Sequence, residues 1–233
     1  MTRVRIENVV ASTSLEAELD LPSIALALDG AEYEPAQFPG LIYRMKDPKT
    51  AILLFHSGKV VCTGGKSWKQ VDDSIKAISA LIRKGGHKII SNPKIEVQNI
   101  VATSNLGSEI DLNMIAVTLG LDRVEYEPEQ FPGLVYRLDA PRVVVLLFGS
   151  GKLVCTGARR PKDLDLAVSR IRAELQAAGL LPRETSAPRG ATSKSTRDSS
   201  GSGGNGKTAG DASVAPPLAP PPARGFQGST TSR

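Results

Sequence analysis

The chain has 233 residues, with 29 Lys+Arg against 24 Asp+Glu, a formal net charge of +5 and two cysteines. That length suffices for one or two domains with a real core, while two distant cysteines exclude a disulfide framework or a zinc site, and no apolar run is long enough to span a membrane. Residues 182–233 hold seven of the cations and three of the acids, leaving 22 and 21 for the rest, so bulk charge does not by itself mark the folded part as a nucleic-acid binder.

The opening MTRVRIENVV lacks the apolar stretch of a signal peptide, which predicts an intracellular chain. VRIENVVAST alternates and reads as a strand. DLPSIALAL follows as a short helix, with Asp20 as N-cap and Pro22 in the first turn. The EYEP stretch, LIYRMK, AILLFHS and KVVCTGG then read as short strands, with a hairpin at HSGK. In SWKQVDDSIKAISALIRKGG, Val71, Ile75, Ile78 and Ile82 recur at helical spacing before Gly85 and Gly86.

From there the chain repeats itself. IENVVASTSLEAELDLPSIA (6–25) matches VQNIVATSNLGSEIDLNMIA (97–116) at an offset of 91, and EYEPAQFPGLIYR (32–44) matches EYEPEQFPGLVYR (125–137) at 93. The change of offset puts a two-residue insertion near Gly120–Arg123, read as a loop. AILLFHSGKVVCTG (51–64) and VVLLFGSGKLVCTG (144–157) agree at ten of fourteen positions. PKDLDLAVSRIRAELQAAG closes the second half as a helix, with Leu164, Ala167, Val168, Ile171 and Leu175 on one stripe. Residues 182–233, rich in Pro, Gly and Ser, cannot bury enough apolar area to order themselves and are expected to be disordered. The expected organisation is therefore a first repeat over 1–91, a second over 92–181 and a tail over 182–233. Each half is α+β, an antiparallel sheet with helices on one side, and the two pack with pseudo-twofold symmetry.

The strands are apolar on both faces, where a sheet covered on one side normally alternates. Ile52 and Leu54 oppose Ala51, Leu53 and Phe55; Val60 and Cys62 oppose Val61 and Thr63; Val9 and Ala11 oppose Asn8 and Val10. One face packs on helices, and no remaining segment covers the other. Such a face is either an interaction surface or an aggregation liability. Four of the five phenylalanines form repeat-equivalent pairs, Phe38 with Phe131 and Phe55 with Phe148. An enzyme reading finds no footing, since His56 becomes Gly149 in the second copy and neither a nucleophile with its base nor a phosphate loop is present. A protein-binding or self-associating sheet is the other alternative, and it predicts no preference for DNA.

The paired EYEPxQFPGL(I/V)YR, LLFxSGKxVCTG and (E/Q)N(V/I)VA(S/T) motifs resemble the TATA-box-binding protein family, archaeal type, over about residues 4–180. The resemblance implies a saddle, one curved ten-stranded antiparallel sheet with four helices on the convex side. It implies a general transcription initiation factor that binds the TATA box of double-stranded promoter DNA in the minor groove, with neither cofactor nor metal. By the same resemblance Asn8, Val10, Leu53, Val61 and Thr63 in one half, and Asn99, Val101, Leu146, Val154 and Thr156 in the other, face the groove floor. Phe38, Phe55, Phe131 and Phe148 are the wedges that bend the DNA. Arg44, Lys46, Lys49 and Lys59, with Arg137, Arg142 and Lys152, are candidates for phosphate contacts. Lys66, Lys69, Lys76, Arg83 and Lys84 are expected on the long helix, facing solvent or partners. Glu127, Glu129 and Gln130 are the implied contact for transcription factor B, through which RNA polymerase is recruited, and a DNA-free homodimer through the same face is also implied. The implied location is the archaeal cytoplasm, at the nucleoid, or the nucleus in a eukaryote.

Overall fold

A computed structural model describes residues 3–120 and 123–182. The chain divides into two units, Met1–Thr185 and Ser186–Arg233, and every described residue lies in the first. The expected tail falls outside the described residues from 183 onward, as do residues 121 and 122 of the expected insertion.

The first half runs β1 (Arg5–Ser14), α1 (Leu21–Ala27), β2 (Ala31–Glu32), β3 (Gly40–Met45), β4 (Thr50–Phe55), β5 (Lys59–Gly65) and α2 (Trp68–Lys84). The second repeats it as β6 (Glu96–Asn105), α3 (Leu112–Leu119), β7 (Val124–Glu125), β8 (Leu134–Leu138), β9 (Val143–Leu147), β10 (Lys152–Ala158) and α4 (Pro161–Ala177). All ten strands join one antiparallel sheet in the order β2-β3-β4-β5-β1-β6-β10-β9-β8-β7. That order reads alike from either edge about the β1–β6 seam, where Val9 pairs with Ile100, Val10 with Asn99 and Asn8 with Val101.

The expected cap, Asp20, is in place. The Asp20 carboxylate accepts from the Ser23 backbone N–H at 3.4 Å, and Asp111 does the same for Met114 at 3.1 Å. Ser67 caps α2, whose buried stripe is Val71, Ser74, Ile75, Ile78, Ser79 and Ile82. On α4 the buried residues are the five expected ones. Both helices lie on the sheet face that carries Val9, Ala11, Ile52, Leu54, Val60 and Cys62, and one continuous core results. Cys62 and Cys155 are free and buried there, and burial pushes their thiols up to about 11 and about 12. They act as small hydrophobes, as their spacing suggested.

The EYEP stretches depart from expectation. Only the first glutamate of each, Glu32 and Glu125, pairs as strand, after which the chain turns, with the amides of Gln37 and Phe38 both donating to the Glu34 carbonyl and those of Gln130 and Phe131 to Glu127. The strands stop at Glu32 and Glu125, and Pro35 and Pro128, three residues on, have no N–H with which a ladder could resume.

Candidate nucleic-acid interface

The face opposite the helices carries Asn8, Val10, Leu53, Val61 and Thr63, and Asn99, Val101, Leu146, Val154 and Thr156, all half-buried beside fully buried neighbours. Strand register places them in rows. Leu53 pairs with Val61 and with Ile42, and Leu146 pairs with Val154 and with Val135. The structure thus brings the ten groove residues expected from sequence onto one surface and leaves it uncovered by any described residue.

The two asparagines are held alike. The Gly64 backbone N–H donates to Asn8 Oδ1 at 2.8 Å, and Asn8 Nδ2 donates to Thr63 Oγ1 at 3.3 Å. In the second half Gly157 donates to Asn99 Oδ1 at 2.7 Å, and Asn99 Nδ2 to Thr156 Oγ1 at 3.1 Å. The oxygen of each amide is engaged from within the protein, so its remaining N–H is the group left to the open face. Gly64 and Gly157 escaped the sequence reading. They adopt φ of 92° and 95°, the left-handed region that glycine enters readily, and that conformation turns the N–H toward an asparagine more than fifty residues away.

At the outer ends, Phe38 and Phe55 stack edge to face with centroids 5.8 Å apart, and Phe131 and Phe148 repeat this at 5.9 Å. A Cβ on Gly40 would stand 2.7 Å from the Phe38 ring, and one on Gly133 would stand 2.6 Å from the Phe131 ring. The glycine of each PG pair is therefore what lets the two rings close over the backbone. Phe131 is still 38% exposed despite that packing.

Of the expected phosphate contacts, Lys46, Lys49, Lys59, Arg142 and Lys152 are exposed and form no ion pair among the described residues. Arg44 and Arg137 are instead paired across the sheet edge with Glu32 at 3.4 Å and Glu125 at 3.1 Å. Lys66 corrects the expectation. It precedes α2, and its Nζ reaches down to Glu7 Oε2 at 3.3 Å, joining Arg3, Arg5 and Lys152 along an open trough of ≈ 1140 Å³. Burial opposes ionisation of Glu7, but hydrogen bonds from Lys66 and Thr103 and the charges of Arg5 and Lys66 outweigh it and hold the carboxyl below its ordinary value.

Glu127, Glu129 and Gln130 lie exposed on the turn before Phe131. The Gln130 side-chain amide donates to the Glu127 carboxylate, and Gln37 donates likewise to Glu34 in the first half. The turns are thus alike except where Ala36 stands in place of Glu129.

No helix among the described residues is long and apolar enough to cross a membrane, and no cluster of His, Cys, Asp and Glu there could hold a metal ion.

The model of the family described as transcription factor TFIID (or TATA-binding protein, TBP) matches residues 3–85 and 94–178. A TATA-box-binding protein of Thermoplasma volcanium is 58% identical over 179 residues, which cover 77% of this chain and 97% of that one. TATA-box-binding protein E of Halobacterium salinarum is 56% identical over 178 residues, 76% of this chain and 96% of its own. Among solved structures, Methanococcus jannaschii TBP superposes with a TM-score of 0.69 at 48% identity, covering 75% of this chain and 99% of that one.

Proposed function

The chain belongs to the TATA-binding protein family, DNA-binding transcription factors and not enzymes, and from that premise we propose that it reads A·T-rich promoter DNA through the minor groove and bends it. The observation that carries this reading is the paired asparagine clamp. In the minor groove an A·T pair offers only acceptors, adenine N3 and thymine O2. An amide whose oxygen is engaged by Gly64 or Gly157 meets them with a donor. Around the asparagines, Val10, Leu53, Val61, Val101, Leu146 and Val154 lie flat against the groove floor. They offer nothing to the guanine amino group, so G·C pairs are rejected by shape and by an unmatched donor.

The phenylalanine pairs act at the ends. Phe38 with Phe55, and Phe131 with Phe148, insert between base steps and kink the duplex. Such wedging, for which this family is itself the standard example, unstacks a step at a cost on the order of a few kcal/mol. Flexible TA steps lower that cost, which adds preference without a hydrogen bond. Lys46, Lys49, Lys59, Arg142 and Lys152 hold the backbone, and Arg3, Arg5 and Lys66 extend that basic margin toward the centre. The turn carrying Glu127, Glu129 and Gln130 then offers transcription factor B a contact on the bent complex, and RNA polymerase follows through that factor. A homodimer through the apolar face is the form expected when DNA is absent.

The test is binding to duplexes labelled with dyes at both ends, an A·T-rich site against one with G·C pairs in it, at fixed salt. The wild type is expected to prefer the A·T site and to shorten the end-to-end distance. Phe55→Ala with Phe148→Ala is expected to lose the bend. Equal affinity for both duplexes, or no bend, would move the apolar face to a protein partner.

A further inference from the structure

The two halves show the open face closely similar rows of side chains, and one position differs by two methyl groups. Arg44, Ala51 and Thr63 are register partners across β3, β4 and β5, as Arg137, Val144 and Thr156 are across β8, β9 and β10. Arginine and threonine repeat, and so does the asparagine that donates to each threonine. Only the middle residue changes, from a methyl to an isopropyl group. Elsewhere on the face Ser12 against Thr103 and Ile42 against Val135 differ by one methyl each. Where the bulk is missing, a shallow hollow of ≈ 480 Å³ opens, with Arg44, Lys49, Ala51 and Thr63 among its walls.

We propose that Ala51 makes the first half tolerant of one G·C pair, while Val144 holds the second half to A·T. This rests on the minor-groove reading above. A G·C pair differs from A·T at the groove floor by the guanine 2-amino group, which protrudes and must donate. Ala51 leaves room for that group. The Thr63 hydroxyl at the edge of the hollow has two lone pairs, of which Asn8 uses one, so it can accept the amino hydrogen. Thr156 has the same capacity, but the two additional methyl-sized positions filled by Val144 close the approach. Size at one position therefore gives a near-symmetric reader two unequal arms, and a single G·C pair would fix which way round the protein sits.

The experiment uses the full chain and a duplex whose A·T site is twofold symmetric. One G·C pair is walked through one arm, then two are walked symmetrically through both. At the position facing Ala51 the wild type should lose less than about threefold in affinity for one G·C pair, and about tenfold or more for two, within the usual range for a mismatched site. Ala51→Val should lose about tenfold on the single substitution, and Val144→Ala should bring the double to within about threefold of all-A·T. Inosine in place of guanine, which removes the 2-amino group, should erase every one of these differences. Each variant installs a residue the other half already carries on this face, and circular dichroism with a thermal melt checks that both fold as the wild type does. Identical position profiles for wild type and Ala51→Val, or an inosine penalty equal to that of guanine, would overturn the proposal. A wild type indifferent to A·T against G·C throughout would instead overturn the minor-groove reading beneath it.

Discussion

Asn8 and Asn99 stand out in the sequence because the repeat brings each back in the same short motif, and a polar residue recurring on an otherwise apolar face implies a ligand. What aims them was not legible. The donor to Asn8 is a backbone N–H supplied by Gly64, 56 positions along the chain, and no residue type announces a backbone donor. Glycine is needed there because φ is 92°, and an added Cβ would stand 3.3 Å from the Lys49 carbonyl oxygen. Gly64→Ala should therefore cost about 1–2 kcal/mol of stability, a fall of roughly 2–4 °C in Tm for each kcal/mol in a domain of this size. It should also free the Asn8 amide to rotate, so that preference for A·T over G·C duplexes weakens more than total affinity does. A thermal melt and a pair of binding curves check both halves of that expectation, and an unchanged preference would mean that the clamp does not orient the amide.

The strands and helices were readable because short apolar runs between Pro and Gly turns mark β4 and β5, and a helical stripe marks α2 and α4. The turns were not. EYEP looks like a strand by its tyrosine, yet the ladder stops at Glu32 and Glu125 and cannot resume at Pro35 and Pro128, which have no N–H. Lys66 looks like the start of a helix yet reaches back to Glu7 on β1, because pairing across the sheet is invisible in a linear reading. The EYEP turns carry Phe38 and Phe131, and Gly133 sets the fit of the second pair: its Cβ would lie 2.6 Å from the Phe131 ring and 3.1 Å from that of Phe148. Gly133→Ala should spread the Phe131–Phe148 pair and reduce DNA bending at one end with the sheet intact. Gly149→Ala, where the nearest atom is 3.8 Å away, serves as the matched control, and equal bending by both variants would show that the ring pair adapts. The same turns differ in charge only at Ala36 and Glu129, since Gln37 and Gln130 tie down Glu34 and Glu127 alike. Charge reversal at Glu127 and Glu129 should block the ternary complex with transcription factor B and spare DNA binding, as a gel shift with and without that factor would read. A ternary complex that survives would place the contact elsewhere.

At the scale of the molecule, two repeats of about ninety residues suggest two separable bodies, but β1 and β6 argue against separation. Each is a ten-residue strand, and they pair with one another at the centre of a single sheet. Val9 and Ala11 from one half and Ile100 and Ala102 from the other are all at most 3% exposed in one core. A first half cut free at residue 91 would leave β1 as a long, unpaired sheet edge with apolar residues on both faces, which is a template for pairing with another chain. The intact protein should therefore lose its structure in urea in one transition, with fluorescence of Trp68 in the first half and far-UV circular dichroism tracing the same curve. The fragment 1–91 should either fail to fold or associate through β1 in place of β6, and sedimentation at several concentrations separates those outcomes. Two resolved transitions, or a folded monomeric fragment, would mean that the seam joins two domains already stable alone. In that event the symmetric sheet would be an assembly of parts. The single transition expected here follows from a seam whose buried residues neither half can cover by itself.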